Sequence, residues 1–185
     1  MKGRQLDDTV RCIILRAGDF IDTQASGNWL DAIMLKKLGR GVFTYPGDPG
    51  IDHAWAYLPD LCRAAVMLAE MRDQLPVFAD IPYPGYTVSG NEIAATLQEI
   101  TRGPVKVKNM AWAPLYLARP FWRMAKYLLE MKYLWNTPHR LDSTVFNDLL
   151  PGFQTTPLQQ ALMAAIPAGL VHLKVNPDQP VTAGG

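Results

Sequence analysis

Residues 53–60, with the sequence HAWAYLPD, constrain the fold more than any other stretch of the chain. Trp55 and Tyr57 alternate with alanines as in a half-buried strand, and the apolar residues of 61–72 then recur with helical spacing. A strand that runs directly into a helix predicts an α/β protein. We expect the carboxylate of Asp60 to cap this helix by accepting hydrogen bonds from first-turn N–H groups.

The end of this strand is also the first place to look for a binding site. Open α/β sheets bind their ligands in crevices at the carboxyl ends of strands. His53, Trp55 and Tyr57 lie just before the turn at Pro59 and Asp60, and they combine aromatic surface with polar atoms. The alternative is that these aromatics only pack against a neighbouring helix.

Composition narrows the class of protein. A chain of 185 residues with 49% apolar composition can bury a core, and its formal charge of +1 argues against nucleic-acid binding. Cys12 and Cys62 lie in apolar segments without metal-ligand spacing, and the first residues lack the apolar core of a signal peptide. No uncharged apolar run reaches the ~18 residues that a membrane span needs. We therefore expect a cytoplasmic protein with reduced thiols and no metal site.

Strands and helices are expected to alternate along the rest of the chain. The run of β-branched residues at 10–18 predicts a strand that is buried on both faces. Shorter strands are expected at 41–45, 77–81 and 105–107.

Four helices should accompany these strands. Asn28 is placed to cap one that ends at Gly39, and Ser89 with Glu92 forms a capping box for a second. A long amphipathic helix is expected at 113–135, with a kink or a break at Pro120. A last helix should begin with Thr156 as its cap and run to about residue 166.

Five segments in this order resemble the C-terminal half of extended short-chain dehydrogenases/reductases, the NAD-dependent epimerase/dehydratase enzymes. The resemblance spans roughly residues 10–166. It rests on IILRAGDF at 13–20, NWLD at 28–31, HAWAYLPDL at 53–61, SGNEI at 89–93, and the LDST, LLPG and TPLQQAL pieces between 141 and 162.

The resemblance implies the C-terminal portion of a doubly wound, Rossmann-like sheet with a mostly helical substrate-binding subdomain. Residues 1–167 would form this half, and residues 168–185 would be a tail. The loop at Gly18, Asp19 and Phe20 would face the cofactor. The residues that would bind substrate are Asn28, Trp29, His53, Trp55 and Tyr57.

One departure from the family pattern concerns His53. In the family's Arg-Asp-(aromatic)-x-x-Val-x-Asp motif, the arginine commonly grips the phosphate of a nucleotide sugar, and here histidine takes its place. An imidazole cannot provide the bidentate fork of a guanidinium. The expected substrate is therefore a sugar-nucleotide or a related alcohol or carbonyl compound.

Two signatures of the complete enzymes are absent from this sequence. No Gly-x-Gly-x-x-Gly or Gly-x-x-Gly-x-x-Gly loop occurs, and no tyrosine has a lysine four residues later. We expect no catalytic residue in this chain and no tight binding of NAD or NADP by it alone. The expected partners are a small-molecule substrate and either a missing N-terminal half or a second copy of the chain.

A second interpretation belongs to a different class. The chain could be a non-catalytic interaction module that keeps this half of the fold to bind a protein or a membrane surface. The segment 121–140 is rich in aromatic and basic residues, as in helices that lie on membrane surfaces.

Overall fold

The computed structural model describes residues 10–172, and these form an α/β fold. The strands are β1 (Cys12–Arg16), β2 (Asp19–Ile21), β3 (Val42–Tyr45), β4 (Asp52–Tyr57), β5 (Phe78–Pro82), β6 (Tyr86–Ser89) and β7 (Lys106–Asn109). The α-helices are α1 (Leu58–Glu70), α2 (Gly90–Thr101), α3 (Ala113–Ala118), α4 (Arg123–Met131), α5 (Thr144–Leu149) and α6 (Leu158–Ala165). The α/β class expected from the sequence is confirmed.

The strands form three small sheets that are mostly parallel. β1 pairs with β5, β2 pairs with β4, and β3 pairs with β7, all in parallel. β6, which the sequence patterns did not predict, pairs antiparallel with β4. Parallel neighbours joined through helices are typical of doubly wound proteins.

The chain changes its partner strand at Gly18. Before this residue β1 runs beside β5, and after it β2 runs beside β4. A Cβ atom at Gly18 would lie 2.1 Å from the carbonyl oxygen of Ala54, so only glycine allows the two backbones to approach so closely. This close contact brings the start of β2 next to the middle of β4.

Two groups of buried side chains form the core. The larger group surrounds β3, β4 and α2 and contains Phe43, Trp55 and Leu97. The smaller group includes Leu68 of α1 and Phe146 of α5, and it covers one face of the β1–β5 pair. The larger group is the one that borders the site described below.

The expectation that the first strand is buried on both faces is wrong. Ala79 and Ile81 face the smaller core group, whereas Ile14 is 41% exposed and Phe78 is 52% exposed on the other face. No described element covers this second face. The sequence misled here because a run of β-branched residues has the same pattern whether one or two layers cover it.

The helices follow the local signals where those signals are strong. Ser89 and Glu92 form the predicted capping box of α2, and Asn28 Oδ1 accepts the predicted capping hydrogen bond from Asp31 N at 3.1 Å. The helix expected at 28–39 is instead two short pieces, a π-helical turn at Leu30–Met34 and a 3₁₀ turn at Leu38–Arg40.

The long helix expected at 113–135 is broken between α3 and α4 near Pro120, as predicted.

The first residues of the predicted tail, 168–185, are packed on the fold. Leu170 and Val171 pack against the larger core group, and His172 N donates to Ile100 O at 3.0 Å. The remainder of that tail, 173–185, lies outside the described residues.

Asp60 and Thr156 do not cap helices, contrary to expectation. α1 begins before Asp60, at Leu58, and α6 begins after Pro157 without a side-chain cap. The carboxylate of Asp60 instead accepts hydrogen bonds from Thr156 N at 2.6 Å and Thr156 Oγ1 at 2.9 Å, and Arg63 lies 3.2 Å away. The two residues bind each other across 96 positions of sequence, which local patterns cannot reveal.

We expect the substitution Asp60→Ala to lower the free energy of unfolding by about 2–4 kcal/mol, because it removes hydrogen bonds to a charged acceptor and leaves donors without partners. Asp60 is only 2% exposed, so water does not replace the lost bonds freely. Urea unfolding measures the change. Asp73→Ala is the control, because this side chain is 76% exposed and its surface ion pair with Arg11 contributes little. Equal losses in the two variants would contradict the buried tether.

Candidate functional site

A pocket of about 290 Å³ opens where the chain changes its partner strand. It brings together four residues that the sequence predicted for the site, Gly18, Asp19, Trp29 and His53. The opposite wall comes from a later part of the chain and contains Met131, Leu134, Trp135, Thr137 and His139. The pocket is therefore built from segments more than 100 positions apart in sequence.

Backbone contacts fix the two sides of this pocket. Asp19 begins β2 and lies opposite Trp55 in the parallel register with β4. On the other side, the backbone N–H of His139 donates to the carbonyl oxygen of Asp52 at 3.2 Å. The segment that follows α4 is thereby tied to the start of the strand that carries His53.

Trp135 lies at the centre of the aromatic wall, which it forms together with Trp29, Tyr45 and His53. Its side chain is 2% exposed and meets Trp29 edge-on, with ring centroids 5.2 Å apart. The ring centroids of Tyr45 and His53 lie 5.7 Å and 5.2 Å from that of Trp135. Edge-to-face contacts at these distances are favourable, and they hold the wall as a rigid unit.

His53 is a fully buried polar group with one satisfied nitrogen. Its Nδ1 lies 3.1 Å from the hydroxyl of Tyr45, while its Nε2 has no hydrogen-bond partner among the described residues. Burial, together with the nearby His139, lowers the pKa of His53 to about 4. Burial also raises the pKa of Tyr45, so this hydroxyl stays protonated.

A neutral phenol and a neutral imidazole can form this hydrogen bond in either direction. When the hydroxyl of Tyr45 donates to Nδ1, the ring proton of His53 resides on Nε2. In either tautomer Nε2 is a buried nitrogen without a partner among the described residues. Leaving a buried polar group without a partner costs about 1–3 kcal/mol, which a bound ligand would recover.

Asp19 supplies the carboxylate that lines this pocket. Burial raises its pKa to about 6. The neighbouring His139, when its imidazole is charged, lowers this pKa and so partly offsets the effect of burial. At neutral pH the group is mostly ionised and accepts hydrogen bonds, whereas slightly acidic conditions protonate it. Shifted carboxyl groups in clefts are frequent at functional sites.

Four predicted site residues do not line the pocket. Phe20 is 40% exposed, and Asn28 lies at the local cap described above. Trp55 and Tyr57 belong to the larger core group, where Trp55 is fully buried against Trp135. Their assignment to substrate or cofactor binding therefore stays a prediction.

The wall from 131–139 was missed by the sequence analysis. The aromatic and basic character of this region was recognised, but no spacing linked Trp135 or His139 to His53. The connection is made in three dimensions, by the backbone hydrogen bond between His139 and Asp52 and by the contacts of the His53 ring with the rings of Trp135 and His139.

The described residues hold no group of three or more His, Cys, Asp or Glu side chains that could bind a metal ion. Helices long and apolar enough to cross a membrane are likewise missing from residues 10–172.

No protein-family model matches this sequence, and no curated protein is significantly similar to it. Solved structures do share its fold. One is an NAD-dependent NDP-hexosamine 5,6-dehydratase, TunA, involved in tunicamycin biosynthesis, with a TM-score of 0.53 and 15% identity over 82% of this chain. Another is a GalE-like L-threonine dehydrogenase from Cupriavidus necator, with a TM-score of 0.56 and 14% identity over 81% of this chain. The chain spans 43% and 50% of the lengths of these two structures, and the likeness confirms a Rossmann-like fold.

The opposite pKa shifts of His53 and Asp19 predict opposite effects of pH on stability. His53 titrates near 4 when folded and near 6.5 when unfolded, so its contribution to stability falls as the pH falls through this window. Asp19 titrates near 6 when folded and near 3.8 when unfolded, so its contribution falls as the pH rises through its window. Between these limits the two contributions largely cancel.

We therefore expect Asp19→Asn to steepen the loss of stability as the pH falls from 6.5 to 4, the window of His53. His53→Gln should have the opposite effect, so that the variant gains stability relative to the native chain as the pH falls. Each difference has a limiting slope of about 1.4 kcal/mol per pH unit. Urea unfolding across this range tests both variants, and parallel profiles for all three proteins would contradict the assignment.

Proposed function

We propose that this chain is the substrate-binding half of an NAD(P)-dependent epimerase, dehydratase or reductase that acts on a sugar-nucleotide or a related alcohol or carbonyl substrate. One observation carries the proposal. The pocket lies where the chain crosses from β5 to β4, and it joins Gly18 and Asp19 to His53 and Trp29. Ligands of open α/β sheets bind at such switch points.

The chain's own residues suit one end of a dinucleotide better than the other. The small side of Gly18 can accept a flat nicotinamide ring, with Asp19 as its polar neighbour. Bound NAD or NADP would supply the hydride. The phosphates have no cradle here, because the sequence has no glycine-rich loop and the pocket wall has no lysine or arginine among the described residues.

This division of residues defines what the chain does in the proposed enzyme. Trp29 and Trp135 exclude water and position the substrate, while His53 donates a hydrogen bond to one of its oxygens. The tyrosine and lysine that move the proton in related enzymes would come from the other half. We place the complete enzyme in the cytoplasm.

The open face of the β1–β5 pair supports the existence of that other half. Ile14 and Phe78 are exposed there, and Val10 is 53% exposed at its edge. A glycine-rich strand and helix could cover this face and extend the sheet. A second copy of the chain is the competing occupant.

Reconstitution with a dinucleotide-binding half from a related enzyme tests this function. We expect His53→Ala and Trp29→Ala each to lower kcat/KM about tenfold, which is about 1.4 kcal/mol of transition-state binding, with cofactor affinity nearly unchanged. The matched control is Val66→Ala, an exposed position on α1. Equal losses of cofactor and substrate binding would mean that the pocket residues serve the fold alone.

A specific observation favours a second candidate function, docking on an anionic membrane surface. The end of α3 and the turn that leads to α4 project apolar side chains, with Leu117 79% exposed, Phe121 92% exposed and Trp122 49% exposed. Arg119 and Arg123 flank this tip. Apolar residues surrounded by cations are typical of helices that bind anionic lipid surfaces.

Vesicle binding separates this candidate from the enzyme. If the tip docks on membranes, the chain should bind phosphatidylglycerol vesicles more tightly than phosphatidylcholine vesicles, and the double variant Phe121→Ala, Trp122→Ala should bind about tenfold more weakly. Phe78→Ala is the control, since this exposed phenylalanine lies on the β1–β5 pair. Sedimentation with vesicles gives the partition coefficient. Identical binding to both lipids, or no effect of the double variant, would eliminate the membrane candidate.

A further inference from the structure

The charges that line the pocket carry information about its ligand. Asp19 is the acidic side chain of the described wall, His53 and His139 are its imidazoles, and neither lysine nor arginine contributes to that wall. Phosphates and carboxylates are usually bound through the fixed positive charge of such side chains. The nearby cation Lys132 does not supply one, because it lines a separate cavity and lies 5.6 Å from the ring of Trp112.

His53 does not replace the missing cations. The pKa of His53 is lowered to about 4, so this ring is neutral at physiological pH. An ionised Asp19 would in addition repel an anion inside the pocket, and partly apolar surroundings strengthen that repulsion. A phosphate or carboxylate would therefore lose its hydration without gaining a positive partner from lysine, arginine or His53.

The polar atoms that are present suit a different ligand. Nε2 of His53 is a buried nitrogen without a partner among the described residues, and Asp19 presents a carboxylate acceptor. Trp29, Met131 and Leu134 provide apolar surface against which a ring can pack, and the buried ring of Trp135 supports Trp29 from behind. The volume of about 290 Å³ is at the lower end of the ~300–1,000 Å³ range of small-molecule pockets.

We propose that His53 carries its ring proton on Nε2 and that the pocket selects a small, uncharged cyclic alcohol or hydroxyketone, whose oxygen accepts a hydrogen bond from His53 and whose hydroxyl donates one to Asp19. This inference rests on the proposed function and narrows its substrate class, because it excludes from the pocket the phosphate of a nucleotide sugar. Any phosphate that the complete substrate carries lies outside the wall formed by Asp19, His53 and Trp135.

Indole N–H signals provide a direct test in the full chain. The protein has five tryptophans, so ¹⁵N-tryptophan labelling gives five side-chain signals, which single Trp→Phe variants assign. The probes are cyclohexanol and 2-hydroxycyclohexanone, each paired with its phosphate monoester. We expect the uncharged compounds to shift the signals of Trp29 and Trp135 and their monoesters to bind at least about tenfold more weakly. Equal or tighter binding of the monoesters, or no shift by any probe, would overturn the proposal.

Three variants test the individual groups. His53→Gln keeps an N–H donor and should retain the binding of 2-hydroxycyclohexanone, whereas His53→Leu should weaken it about tenfold. Thr137 lies on the pocket wall at an exposed position, so Thr137→Lys adds a cation there without burying it. This variant should gain affinity for the monoesters and not for the parent alcohols. A gain for both compound types, or equal loss in both His53 variants, would contradict the proposed recognition.

The outcome is separable from that of the proposed function. Selective binding of the uncharged probes, without activity after reconstitution, would support the selectivity proposed for the pocket and contradict the proposed enzymatic function. Activity on phosphate-bearing substrates bound within the pocket would support the enzymatic function and contradict the selectivity.

Discussion

The close approach of Gly18 to the backbone of Ala54 is the constraint on which the rest of this structure depends. Gly18 lies between β1, which pairs with β5, and β2, which pairs with β4. A side chain at this position would push the backbone away from β4. Because the two backbones meet there, Asp19 is set beside the strand that carries His53. The pocket forms at this point because the chain pairs first with β5, through β1, and then with β4, through β2.

A rigid aromatic wall then makes it possible to keep polar groups in this buried place. Trp135 contacts Trp29, Tyr45 and His53, so the imidazole is packed among aromatic rings and shielded from water. The same burial disfavours the charged forms of His53 and Asp19, which lowers the pKa of His53 and raises that of Asp19, so that the usual order of the two values is reversed. The site therefore holds a neutral imidazole and a readily protonated carboxyl, and both are suited to a ligand with oxygen atoms.

Three separate observations support the proposal that this chain is one half of a larger enzyme. The likeness to the two solved enzymes extends over about four-fifths of this chain and about half or less of theirs. The uncovered face at Ile14 and Phe78 and the absence of a glycine-rich loop are separate observations. Both are explained if a dinucleotide-binding half completes the sheet, which is the proposal that reconstitution addresses.

The sequence by itself determined the features that depend on neighbouring residues. The strand that enters α1, the capping box of Ser89 and Glu92, and the break near Pro120 all follow from local spacing and backbone chemistry, and the structure has each of them. The order of motifs also indicated the fold, together with four of the residues that meet in the pocket.

Only the tertiary structure decided which distant residues meet. Asp60 binds Thr156 instead of capping its own helix, because a buried carboxylate takes whichever donors the fold brings to it. Trp135 and His139 complete the pocket although no sequence pattern links them to His53. Such contacts follow from the path of the chain in three dimensions, and a period of 2 or 3.6 residues carries no information about that path.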